Sequence, residues 1–201
     1  MAVRKFSAPQ FAFDLRVSLR DIQPEIWRLI RVPHDIRMDR LHAVLQAAFG
    51  WTNSHLHQFI IKGEGPVPLF VRDPRNDDEA FTDQEPRPVD ERKVMLHRFL
   101  TQPGDRLTYE YDFGDDWMHE LSLVAVHNQT TRLSAALCLD GARACPPEDC
   151  GGPPGYEDFL AAIRDPKHEE HESMKEWIGG EFDPEAFDFA GVARALSRVK
   201  A

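Results

Sequence analysis

The chain has 201 residues, 42% of them apolar and 29% charged, which is enough apolar mass for one packed domain and too much for a wholly disordered chain. A formal net charge of -10 argues against general binding to a phosphate backbone, and three cysteines, an odd and small number, argue against a disulfide-built scaffold. No apolar run approaches the roughly 18 residues of a membrane helix, and the opening Met1 to Phe6 lacks the apolar centre of a signal peptide, so a cytoplasmic location is expected.

The charge is uneven. Residues 1 to 50 hold eight basic against five acidic side chains, a balance of +3, which leaves -13 for residues 51 to 201. Phe11, Phe13, Leu15, Val17 and Leu19 alternate with polar neighbours and predict a half-buried strand. After the Asp21 to Pro24 turn, Ile26 to Val32 is the expected returning strand, with Arg16, Arg20, Arg28 and Arg31 assigned to the outer face. Those arginines are either solvated charge that protects a sheet from edge-to-edge pairing or a local basic face for nucleic acid.

Met38, Leu41, Val44, Leu45, Ala48 and Phe49 follow helical spacing, and Gly50 stands where a C-terminal cap belongs. A third strand is expected from His55 to Ile61, which puts His55 and His57 on one face, either as chelating ligands or as ordinary hydrogen-bonded polar groups. Residues 63 to 93 form a proline- and aspartate-rich excursion, with a short edge strand at Val67 to Val71 and a role as lid or as loop left open. A short helix is expected around Val94 to Leu100.

Tyr109 to Leu121 reads as strand, acidic turn, strand. Asp112, Asp115 and Asp116 surround Gly114; three carboxylates there are either turn formers that tolerate positive φ or a cluster that a cation would bridge. Cys145 to Gly155 is a rigid loop of prolines and glycines carrying Glu148 and Asp149, followed by an amphipathic helix from Tyr156 to Ile163. A glutamate-rich helix is expected from His168 to Ile178, and Asp183-Pro184-Glu185 is the expected start of the last helix.

Two site hypotheses follow. A candidate pocket joins Asp112, Asp115, Asp116, Trp117, His119, Glu148 and Asp149, on the expectation that the acidic hairpin, the His55 to Phe59 stretch and the Cys145 loop meet in space. A candidate zinc site takes ligands from His55, His57, His119, Cys145 and Cys150, because thiolate and imidazole together select zinc over magnesium or calcium. No phosphate-cradling glycine loop, nucleotide fingerprint or serine-histidine-aspartate order is present. That favours a non-catalytic binding or adaptor module for a basic protein partner over an enzyme, with a metal-binding protein or metal-dependent hydrolase as the alternative and nucleic-acid association as the third.

Several stretches together resemble one known family. Ile26-Trp27-Arg28, Leu41-His42, Gly50-Trp51 with His55-Leu56-His57-Gln58-Phe59, Tyr109 to His119, Cys145 to Tyr156, and Phe182-Asp183-Pro184 with Phe187-Asp188 are similar to the plasmid pRiA4b ORF-3-like proteins. The resemblance spans nearly the whole chain. It implies a compact α+β domain in genes that include plasmid and mobile-element ones; with the strand and helix patterns above, a single domain with a mixed or antiparallel sheet of about five or six strands and helices mainly on one face is expected. It implies no assigned biochemical activity.

Overall fold

A computed structural model describes residues 10–62, 68–73 and 88–201. Eight strands form one sheet: β1 (Gln10–Leu19), β2 (Trp27–Pro33), β3 (His57–Ile61), β4 (Leu69–Arg72), β5 (Val89–Asp90), β6 (Arg106–Tyr111), β7 (Trp117–Gln129) and β8 (Leu137–Ala142), in the order β5-β4-β3-β6-β7-β1-β2-β8. All neighbours are antiparallel except β4 and β5. The α+β class is as expected; the sheet is wider than five or six strands because Leu69–Arg72, the two-residue Val89–Asp90 and Leu137–Ala142 each extend an edge.

The described residues also form four α-helices: α1 (Met38–Phe49), α2 (Gly152–Arg164), α3 (His171–Ile178) and α4 (Phe189–Arg198). Strand register dictates which side is core. Phe13, Leu15 and Val17 stand opposite Val32, Ile30 and Arg28, and Leu19 opposite His119; Tyr109 stands between His119 and Phe59. This row packs beneath α1, whose Leu41, Val44, Leu45 and Ala48 are fully or almost fully buried, each contributing about 1.5–3 kcal/mol over exposure for its larger members. The opposite face carries Asp14, Arg16, Ser18, Arg31, Thr108, Glu110 and Glu120, the open side of a one-sided antiparallel sheet.

That register corrects the arginine assignment. Arg28 and Arg31 are three residues apart, and positions three apart on a strand point to opposite faces. Arg28 therefore points inward and is 3% exposed; it donates to the carbonyls of Ala48, Trp27, Ala142 and Arg143 at 2.8–3.0 Å, with its guanidinium 4.6 Å from the Phe187 ring centre. Arg31 faces outward on Asp14 (2.6 Å), and Arg16 grips Glu25 (2.7 Å). Three of the four arginines thus already have carboxylate neighbours, Arg20 lying 3.7 Å from Glu120.

Other boundaries moved for local reasons. His55 precedes β3, which begins only at His57, so the two histidines do not share a strand face. The short helix expected around Val94 to Leu100 is only a 3-10 turn at residues 96–98, and a second 3-10 turn stands at residues 91–93, at the end of the 63 to 93 excursion. The last helix starts at Asp188, whose carboxylate accepts from the Gly191 N–H (2.8 Å), while Asp183 closes a separate turn by accepting from the Glu185 N–H (2.9 Å). The Val67 to Val71 strand is found as β4; Val67 itself and the greater part of the 63 to 93 excursion lie outside the described residues.

Candidate functional site

The three unusual stretches do meet at one end of the sheet. Gly50 caps α1 in the left-handed conformation (φ 83°), which turns the chain so that Trp51 stacks on Tyr111 (5.0 Å between ring centres) and donates its indole N–H to the Pro146 carbonyl (3.0 Å). Glu148 is the clasp: one carboxylate oxygen accepts from the Tyr111 hydroxyl (2.5 Å), the other from the Thr52 N–H (3.1 Å) and hydroxyl (2.5 Å). Burial, with Glu148 beside it, holds the Tyr111 phenol well above its ordinary pKa.

Carboxylate-to-backbone hydrogen bonds shape the acidic turn and hold it to the Cys145 loop. Asp112 Oδ1 accepts from the Gly114 N–H (3.0 Å), and Asp115 accepts from the Gly151 N–H (3.1 Å). A Cβ on Gly152 would lie 2.3 Å from the Asp115 carbonyl oxygen, and one on Gly155 would lie 1.9 Å from that of Cys150, so both positions require glycine. Asn53, Asp112, Asp116 and Asp149 all hold φ between 57° and 61°. All four are Asn or Asp, the non-glycine types that enter the left-handed region most readily, so turn chemistry accounts for the shape of the backbone here.

Within this frame His55 lies between two carboxylates. Its Nδ1 is 3.5 Å from Asp112 Oδ2, and its Nε2 is 3.1 Å from Asp149 Oδ1. The Nε2 atom is out of contact with solvent yet is not aligned for a hydrogen bond. One ligand atom from each of His55, Asp112 and Asp149 falls within 4.8 Å of the others, the one group of three such side chains found among the described residues. The Asp149 side chain is 69% exposed and that of Asp112 11%, so the group opens outward at one side.

The remaining expected ligands go elsewhere. His57 is buried on Glu91 (2.8 Å) and stacks flat on His42, with ring centres 3.5 Å apart and planes 3° from parallel. His119 is fully buried, bonded through Nδ1 to the Trp117 carbonyl (3.0 Å) and enclosed by the rings of Phe49, Trp51 and Tyr109. Cys145 and Cys150 are free thiols that burial pushes upward, Cys150 to about 12. The expected Cys/His ligand set is thus not assembled, because β-sheet register carries His57 and His119 under α1 while His55 stays in the turn outside. Of the expected pocket residues, Asp112, Asp115, Glu148 and Asp149 come together around the acidic turn; Asp116 is exposed within the turn, its N–H bonded to the Asp112 carbonyl (2.7 Å), and Trp117 is 1% exposed and belongs to the core beneath, with His119 beside it.

Beneath the rim lies a buried polar chain. Asn53 Oδ1 accepts from His42 Nε2 (2.7 Å), so His42 Nδ1 is the acceptor for the Tyr109 hydroxyl (2.7 Å), which in turn accepts from Gln46 Nε2 (3.1 Å). Gln46 Oε1 accepts from the Asn53 N–H (2.8 Å), which closes the ring. Burial, and next the His57 ring, lower His42 to about 3; burial does the same to His119. His42 and Gln46 were legible as polar interruptions of an apolar helix face, whereas Glu91 sits in an acidic stretch that gives no such signal.

Comparison with known proteins agrees with this architecture. The chain is 37% identical over 190 residues to the uncharacterized protein y4hQ of Sinorhizobium fredii (strain NBRC 101917 / NGR234), covering 93% of this chain and 91% of that one. The crystal structure of MM3350 from Methanosarcina mazei Go1, a protein of unknown function, superposes with a TM-score of 0.76 at 33% identity, covering 90% of this chain and 97% of that one. With residues 11–191 matching the model of the plasmid pRiA4b ORF-3-like proteins, the chain belongs to that family.

Proposed function

We propose that this protein binds a divalent first-row metal ion through His55, Asp112 and Asp149. The observation that carries the reading is the convergence of one imidazole and two carboxylates within 4.8 Å. The solvent-shielded, unbonded Nε2 of His55 adds to it. Mixed nitrogen and oxygen donors suit ions of the zinc and manganese kind, and three protein ligands leave further positions for water or a ligand oxygen. The site is preorganised by the glycine approaches and by Glu148, so that little chain entropy remains to be lost on binding.

Isothermal titration with Zn2+ and with Mn2+, beside elemental analysis of untagged protein, tests the reading. One ion per chain is expected, with His55→Ala and Asp112→Asn each lowering affinity by at least about tenfold, as loss of a ligand or its partner does. Binding that survives both substitutions, or no saturable binding of either ion, refutes it.

A further inference from the structure

We infer that the groove between α2 and α3 is a docking site for an arginine-bearing segment of a basic protein partner. The groove encloses about 330 Å³ beside Asp149, and helical spacing aims its walls at one another: Asp158 and Phe159 from α2, Glu170, Met174 and Trp177 from α3 and its cap. Among the described residues its lining holds three carboxylates and no lysine, arginine or histidine. Asp158 and Glu170 have no ion-pair partner among the described residues. The floor is aromatic, with Phe159 and Trp177 meeting edge to face at 5.7 Å, and Trp177 is 47% exposed although it is the largest apolar side chain on its helix.

Charge and shape select the occupant. A cation gains from three carboxylates, and a planar guanidinium both stacks on an indole face and pairs bidentately with a carboxylate, which a lysine ammonium does not. The balance of -13 over residues 51 to 201, the stretch that supplies every residue of the groove, favours a basic partner there. Half-buried Met174 and the exposed part of Trp177 supply apolar contact for residues flanking the arginine, contact that a free small cation leaves unused. Asp149 borders both the groove and the proposed metal site, yet Asp158, Glu170 and Trp177 belong to the groove alone.

Fluorescence anisotropy with a labelled hexapeptide carrying two arginines among glycine and serine, in metal-free buffer of about 50 mM salt where screening is moderate, tests the inference. Saturable binding is expected, with the citrulline version of the peptide, uncharged but of the same shape, not bound. Trp177→Ala and Trp177→Phe are expected to weaken binding, the former by about fivefold, the worth of one cation–π contact of ~1 kcal/mol. Asp158→Asn with Glu170→Gln is expected to weaken it by about tenfold or more. Glu157→Gln with Glu176→Gln removes as much charge outside the groove and should leave binding within about twofold. Equal loss in both double variants, equal binding of the citrulline peptide, full competition by N-acetyl-arginine amide at the peptide's own affinity, or no saturation overturns it. Because His55→Ala leaves the groove intact, peptide binding retained in that variant separates this outcome from the fate of the metal reading.

Discussion

His55 and His57 stand two residues apart and each faces carboxylate, yet they belong to different kinds of site. His57 is sealed in the core on Glu91, its ring stacked on His42 and its polar neighbours mutually satisfied. His55 sits at the surface between Asp112 and Asp149, with one ring nitrogen shielded from water and lacking a well-formed bond. A closed polar network specifies the position of α1 over the sheet; an open one of the same composition retains capacity for a ligand. The presence of histidine and carboxylate therefore does not distinguish scaffold from site. What distinguishes this pair is that His57 holds a well-formed bond to Glu91 inside the core, whereas the shielded Nε2 of His55 has none and its carboxylates open outward.

The sharpest way to break the comparison is Glu91→Ala, which leaves His57 buried without its partner and is expected to cost about 3–5 kcal/mol in chemical denaturation. A loss below about 1 kcal/mol would show that the inner network is not the structural one. Gly152→Ala comes next: a Cβ there meets the Asp115 carbonyl in a residue at φ 68°, so a loss of about 2 kcal/mol or more is expected, together with weakened metal binding as the Cys145 loop lifts from the acidic turn.

Acid should then act on the inner network through His42 and His119. Both are lowered to about 3 in the fold and lie near 6.5 when unfolded, so the unfolded chain takes up protons that the folded chain refuses. Their neutral-form stability is fully present above about pH 6.5 and is lost as pH falls toward 3, at ~1.4 kcal/mol per pH unit for each group. Denaturation midpoints between pH 7 and 5 measure this directly, and His42→Gln should reduce the slope. The smallest effect belongs to His55→Ala, expected to leave metal-free stability within about 0.5 kcal/mol, as a partly exposed side chain outside any closed network should. A large loss there would make His55 a structural residue like His57.

Much of the scaffold was legible in the residues themselves. Alternation marked β1, β6 and β7, helical spacing marked α1, and the composition of three odd stretches foretold that they meet. Where the structure departs from the local pattern, the cause is phase or competition between neighbouring signals. Register turns Arg28 inward, β3 begins only after His55, and Asp183-Pro184-Glu185 heads a separate turn while Asp188 caps α4. Among the described residues the membrane question also has a structural counterpart, since no helix there is long and apolar enough to span a bilayer.

The acidic hairpin, the rigid glycine-proline loop and the apolar periodicities were determined by the chain alone, because turn chemistry and side-chain alternation depend on neighbours in sequence. Only the tertiary structure decided which histidine is sealed, which carboxylates face it, and that Cys145 and Cys150 stand outside the ligand group. Those outcomes depend on the register of β3 against β6 and on the approach of Gly152 to Asp115, contacts between residues tens of positions apart that no local pattern encodes.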